Sequence, residues 1–240
     1  ATDPNLKDDQ GNTCVHKAAE GGHVEAMKFL LNWEERDEDR KKRDERRDRR
    51  ALQDARLAGG NAVAIALENA GETPQRTADI HVRNNKGWTP LMSAAAHGQG
   101  EVIYVLYQKG SDIMAQDHQG FTAAHWAALG NHTEALKVIY QCQDLPLTPD
   151  VVSKPSNNGT TPAHTAAQHD CSEALLFLAK TAKVDLNAQD DSLDTPGHRA
   201  ARNNFIELLD VLRQNEADFT IENIDDDTVE DIIQDKSAHY

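Results

Sequence analysis

An all-α solenoid of stacked helix pairs is the fold this sequence predicts, and three observations predict it. A nine-residue string recurs five times in register along the 240 residues, each copy is followed by a second amphipathic stretch, and aromatics make up only 5% of the chain. Few aromatics suit short helices packed on their neighbours better than one large spherical core.

The strings are Gly11–Ala19, Gly87–Ala95, Gly120–Ala128, Gly159–Ala167 and Leu193–Ala201, and their threonines fall at 13, 89, 122, 161 and 195, in steps of 76, 33, 39 and 34. Thr228, another 33 on, marks a degenerate sixth copy. The leading Gly allows a tight turn, Thr caps the helix that follows, and Pro at its first position gives up no needed hydrogen bond. The Ala-Ala pair lets neighbouring helices approach closely. A second helix follows, as in Glu101–Leu106, with apolar residues at helical spacing, and an extended turn such as Gly110–Gln116 closes the unit.

A period of 33 built from a turn and two helices, with its Thr-Pro-Leu-His type of string, resembles the ankyrin repeat over roughly residues 5–32 and 78–222. The resemblance implies a curved stack of helix pairs with β-hairpin fingers on one side, in a family made up mainly of protein-binding scaffolds. The division expected is about five repeats within a single domain, 1–240. Repeat 1 carries a charged helical insertion at 33–77. Repeat 2 spans 84–116, repeat 3 with a loop insertion 117–155, repeat 4 156–189, repeat 5 190–222, and a C-terminal cap and tail 223–240. Several copies depart from the template. Met92 stands where the others carry His, Asp170 takes a turn position usually given to Gly, and repeat 5 has Leu193 for the turn Gly and Gly197 for the core Leu, which should weaken packing there.

The first insertion opens with Glu34–Arg50 and continues through Ala51–Ala58 to Gly59-Gly60. Acid-to-base pairs such as Asp37–Lys41 and Glu38–Lys42 have the favoured i,i+4 orientation, so a protruding helical arm is expected. The second insertion, Gln143–Pro155, holds three prolines and reads as a surface loop.

Net charge is −15, yet residues 34–50 carry nine bases against eight acids, so the remainder sums to −16. Such a body disfavours sequence-independent duplex binding, which needs a basic face. Cys14, Cys142 and Cys171 form no Cys-x-x-Cys pair and read as reduced thiols. No apolar run approaches the roughly 18 residues of a membrane span, and the N-terminus lacks a secretory pattern. The expectation is a monomeric protein of the cytoplasm, the nucleus or both, without membrane insertion.

His16, His125, His164 and His198 occupy one template position in four repeats, too far apart to share an ion, and the resemblance implies hydrogen bonds between repeats for them. Cys142 and Cys171 near His169 match no metal template. Phosphate loops, nucleophile elbows and Cys/His pairs are missing from the sequence. The expectation is therefore no catalytic residues, no metal and no cofactor. The basic cluster Arg40, Lys41, Lys42, Arg43, Arg46, Arg47, Arg49 and Arg50 has three readings: a solvated helix, an importin or partner contact, or a nucleic-acid contact.

The resemblance places recognition on the fingertips and the exposed side of the first helices. The candidates there are Trp88, His97, Phe121, Trp126, Leu129, Thr160, His169 and Arg199. Trp88, Phe121 and Trp126 could form one apolar patch of typical interface anchors, or simply pack between fingers. The function expected is a protein-interaction module. The alternatives are a nuclear or nucleic-acid-associated factor acting through the arm, and an enzyme or regulatory subunit with the arm as a lid.

Overall fold

The computed structural model describes residues 4–31, 78–142 and 148–238. The arm 33–77 and its basic cluster lie outside the described residues. Among those described, every regular element is helical. Each repeat contributes a pair: α1 (Cys14–Glu20) and α2 (Val24–Leu30), α3 (Pro90–Ala96) and α4 (Gly100–Gln108), α5 (Ala123–Leu129) and α6 (Thr133–Gln141). After a short α7 (Asp150–Ser153) come α8 (Pro162–Gln168) and α9 (Ser172–Phe177), which runs into a π-helical turn at Leu178–Ala182. The array ends in α10 (Pro196–Arg202), α11 (Ile206–Gln214) and α12 (Val229–Ala238).

The template threonines are the N-caps of α1, α3, α5, α8 and α10. The first helices form one row, α1-α3-α5-α8-α10-α12, and the second helices another, α2-α4-α6-α9-α11. The Ala-Ala pairs Ala18-Ala19, Ala94-Ala95, Ala127-Ala128, Ala166-Ala167 and Ala200-Ala201 are fully buried in the first row. The second row supplies the bulk of the core through Met27, Ile103, Leu106, Leu136, Ile139, Leu175, Leu178, Leu208 and Leu212.

The fingers are tight turns, not the β-hairpins that the resemblance implied. Each closes on itself through two backbone bonds, as from Asn84 N–H to the Trp88 carbonyl at 3.0 Å and from Gly87 N–H back to the Asn84 carbonyl at 2.9 Å. A single backbone bond then joins each finger to the next, as from Asn157 N–H to the Gln119 carbonyl at 3.1 Å. An Asp or Asn five residues before every capping Thr except Thr161, which has Ser156 there, does the rest. Oδ1 of Asp8, Asn84, Asp117, Asp190 and Asn223 each accepts two backbone N–H groups of its own turn. Gly120 has φ +80°, and a Cβ there would lie 2.4 Å from the Asn157 nitrogen, so both the left-handed turn and the close approach of the next finger require glycine.

Two expectations need correction. The second insertion is not wholly a surface loop, because Asp150–Ser153 forms α7 and its Val151-Val152 pair is buried against the helices of repeats 3 and 4. Nor does Gly197 leave repeat 5 slack. A Cβ there would lie 3.0 Å from Val229 Cγ2 and 3.7 Å from Phe219 Cε1, so those buried side chains fill the space a core Leu would take. Leu193 does sit at φ +55°, a conformation that costs a side-chain-bearing residue roughly 1–2 kcal/mol.

Candidate protein-binding surface

Trp88, Phe121 and Trp126 come together in space. Phe121 and Trp88 hold the same place on adjacent fingers, and Trp126 lies four residues beyond the cap Thr122, on the finger side of α5. The Trp88 and Trp126 ring centroids are 4.3 Å apart with planes at 53°, and those of Phe121 and Trp126 are 5.5 Å apart at 56°. Phe121 also stacks on the His125 ring, 4.7 Å away at 18°. All three aromatic residues are half-buried, and Trp88 and Trp126 pack against the hydrophobic core. Trp126 is fixed by a hydrogen bond from its Nε1 to Asp117 Oδ2 at 3.1 Å. The Lys86 ammonium lies over the Trp88 ring, 5.1 Å from its centroid.

The other candidates divide. Leu129, half-buried, follows Trp126 by three residues on α5 and continues its side of the helix. His97 is exposed at the end of α3, where its Nδ1 meets the Ser93 carbonyl at 2.8 Å and its Nε2 approaches Glu20 of repeat 1 at 3.8 Å. His169 is exposed at the corresponding end of α8. Thr160 must be withdrawn from the exposed set. It is only 5% exposed, and its carbonyl takes both the Ser156 N–H and the His125 ring. A threonine at the finger position is too short to reach past the turn, whereas an indole or phenyl is not.

Arg199 is half-buried in an ion-pair network that the sequence reading missed. Its guanidinium bonds the Asp190 carboxylate and lies 3.4 Å from Asp194, while Arg202 binds Asp194 and reaches Asp225 at 3.8 Å. Asp194 is wholly buried and also accepts from Asn223 Nδ2 at 3.2 Å. Burial alone would raise the Asp190 carboxyl, but the bonds from Arg199 and the Ser192 N–H outweigh it and hold the group low. Arg199 on Asp190 repeats the placement of Trp126 on Asp117. A polar anchor in repeat 5 thus replaces the aromatic one in repeat 3. The column of Asp and Asn five residues before every template Thr but Thr161 was the sequence signal for it.

The four template histidines use both ring nitrogens. Nδ1 of His16, His125, His164 and His198 accepts the backbone N–H of its capping Thr at 3.2, 3.0, 3.2 and 3.1 Å. Nε2 therefore carries the proton and donates to the carbonyl of Trp88, Thr160, Asp194 and Asp227 on the next finger, at 2.9, 2.9, 2.9 and 3.0 Å. Burial pushes His125 down to about 4 against the upward pull of the Thr160 bond, and burial lowers His16 and His164 as well. Cys142 is buried with its thiol pushed up to about 11, and Cys171 Sγ donates to the Leu129 carbonyl at 3.4 Å, so neither presents a ready thiolate to a metal.

On the opposite side, Gly100 leaves a groove of about 820 Å³ between α2, α4 and α6, lined in part by Val24, Tyr104, Tyr107 and Val138. No described helix is long and apolar enough to cross a membrane.

Comparison with known proteins agrees with this architecture. A family model described as ankyrin repeats (3 copies) matches residues 61–150 and 143–223, and one described as ankyrin repeats (many copies) matches 1–31. The E3 ubiquitin-protein ligase XBAT32 of Arabidopsis thaliana is 30% identical over 65% of this chain and 28% of its own length. The E3 ubiquitin-protein ligase KEG of the same plant is 26% identical over 97% of this chain and 14% of its own. The human transient receptor potential cation channel subfamily A member 1 is 41% identical over 25% of this chain and 5% of its own. The chain thus spans less than a third of these relatives, and the ligase and channel activities in their names belong to those whole proteins. With its repeats matched across most of its length, the chain belongs to the ankyrin-repeat family, whose repeats serve as protein-interaction modules.

Proposed function

We propose that this chain binds a protein partner as a single copy, on the finger side of repeats 2 to 4. The binding centre is formed by Trp88, Phe121 and Trp126, with Leu129, His97 and His169 around it. One observation carries the reading: three large rings cluster across two adjacent fingers and α5, each half-buried, so that part of their surface stays open to a partner. Large aromatics at the centre of a contact are the residues that most often dominate binding energy. The role is that of an adaptor, and chemistry on a partner is left to the partner.

A photo-crosslinking amino acid placed at His97 or His169 tests this in cell extract, with Tyr104 on the opposite groove as the control site. Discrete protein adducts from the finger-side positions, lost when Trp88 and Trp126 are both changed to Ala, are expected. Adducts from Tyr104 alone, unaffected by the double change, would move recognition to the outer groove and end this reading.

A further inference from the structure

We infer that the residue received by the aromatic patch is a lysine or arginine side chain of an extended peptide segment, its cationic head seated on the Trp88 indole; this rests on the finger-side reading above. The first ground is that the protein already places an ammonium there. Lys86, two residues away on the same fingertip, lays its Nζ over the Trp88 ring at 5.1 Å, so this face of the indole has room and charge preference for a cation. Lys86 is exposed, and among the described residues it forms no ion pair that would hold it in place. A partner's cation can displace it without breaking the fold.

The second ground is the hydrogen-bonding state of the two indoles. Trp126 Nε1 is committed to Asp117. Trp88 Nε1 meets no acceptor among the described residues, so a half-buried ring presents a π face and an N–H donor together. A basic side chain on a peptide backbone offers the two complements, a cation for the face and a carbonyl oxygen for the donor. An aliphatic anchor would use neither. The third ground is field: outside residues 34–50 the chain sums to −16, which draws basic segments and repels acidic ones.

The test uses the full chain and fluorescein-labelled peptides Gly-Arg-Gly-Lys-Gly-Arg-Gly-Lys-Gly, its neutral counterpart with citrulline and norleucine in place of Arg and Lys, and its counterpart with Glu at those positions. Fluorescence anisotropy should show binding of the basic peptide and at least about tenfold weaker binding of the other two. Trp88→Leu, which keeps apolar bulk but removes the π face and donor, should weaken the basic peptide about fivefold or more. Lys86→Ala, which removes the resident competitor from an exposed fingertip, should tighten it about twofold. A basic peptide that binds Trp88→Leu as well as wild type is being held by the acidic body alone, and the inference then fails. It fails equally if the neutral peptide binds as tightly, or if no peptide binds at all. Those outcomes leave the finger-side reading to be decided by the crosslinking above. If Trp88→Leu melts early, the stable Lys86→Ala variant decides, because unchanged or weaker binding there also overturns the proposal.

Discussion

Each template histidine joins its own helix cap to the next finger, and it can do so only while neutral. Protonating Nδ1 would replace the acceptor that the Thr N–H needs with a second donor. His125, held at about 4 by burial, is ordinarily titrated near 6.5 when unfolded, and His16 and His164 are lowered in the same direction. Between these values the unfolded chain binds the extra proton and the folded chain does not, so stability falls as pH drops from about 6.5 toward 4 and this contribution levels off below 4. His125 alone accounts for about 3 kcal/mol across that window. Urea midpoints measured from pH 7.5 to 4 should show this decline, and His125→Leu should flatten part of it while lowering stability throughout. A midpoint that is level from pH 7 to 5 would contradict the buried-neutral assignment. Below 3.8 a separate loss begins, because Asp8 and Asp190 are carboxylates held low in the fold and their contribution vanishes as pH falls through their folded values.

Among the elements, those built from local rules were legible in the sequence, and those built by distant partners were not. Thr, Pro and Ala-Ala act within one turn of a helix, so the five first helices and the half repeat after Thr228 could be placed from spacing alone. The half repeat even keeps its cap, with Asp231 accepting the Thr228 N–H at 3.0 Å in the role His plays elsewhere. The Val151-Val152 pair was missed because two apolar residues among prolines carry no period, and only the packing of repeats 3 and 4 shows that there is a space for them. For the candidate site, the clustering of Trp88, Phe121 and Trp126 was readable from their shared positions, whereas Asp117 under Trp126 and the burial of Thr160 depend on how far each side chain extends from a turn. α7 yields a direct check. Val152→Ala should cost about 2 kcal/mol or more in chemical unfolding, as truncation of a fully buried aliphatic does, while Asp150→Ala at the exposed end of the same helix should cost far less. Equal, small effects would return the segment to the class of surface loop.

The whole molecule is a linear array in which each repeat packs mainly on its neighbours, so damage should stay near where it is made. Asp194 is suited to testing this, because its buried carboxylate joins Arg199 and Arg202 of repeat 5 to Asn223 of the sixth copy. Asp194→Ala should cost about 2–4 kcal/mol by leaving two guanidinium groups short of their counter-charge, discounted for the partial exposure of both. Hydrogen exchange should then show repeat 5 and α12 opening early while α3, α5 and α8 keep their protection. Uniform loss of protection along the chain would mean that the array unfolds as one unit.

The one first helix among the five full repeats without a histidine is α3, where Met92 sits buried at the shared position and its Sδ receives the Thr89 N–H at 3.4 Å. A thioether has no proton to gain in this pH range and none to donate to the following finger. The template bond that secures the other joints through His16, His125 and His164 is therefore missing between the second and third repeats, where the His132 ring instead reaches across to the Ala96 carbonyl at 3.1 Å. Trp88 and Trp126 stand on either side of that joint. As the medium acidifies, this joint has no template bond of its own to lose, but Trp88 and Phe121 should feel the loss at the joints beside it, through the His16 bond and the His125 stack.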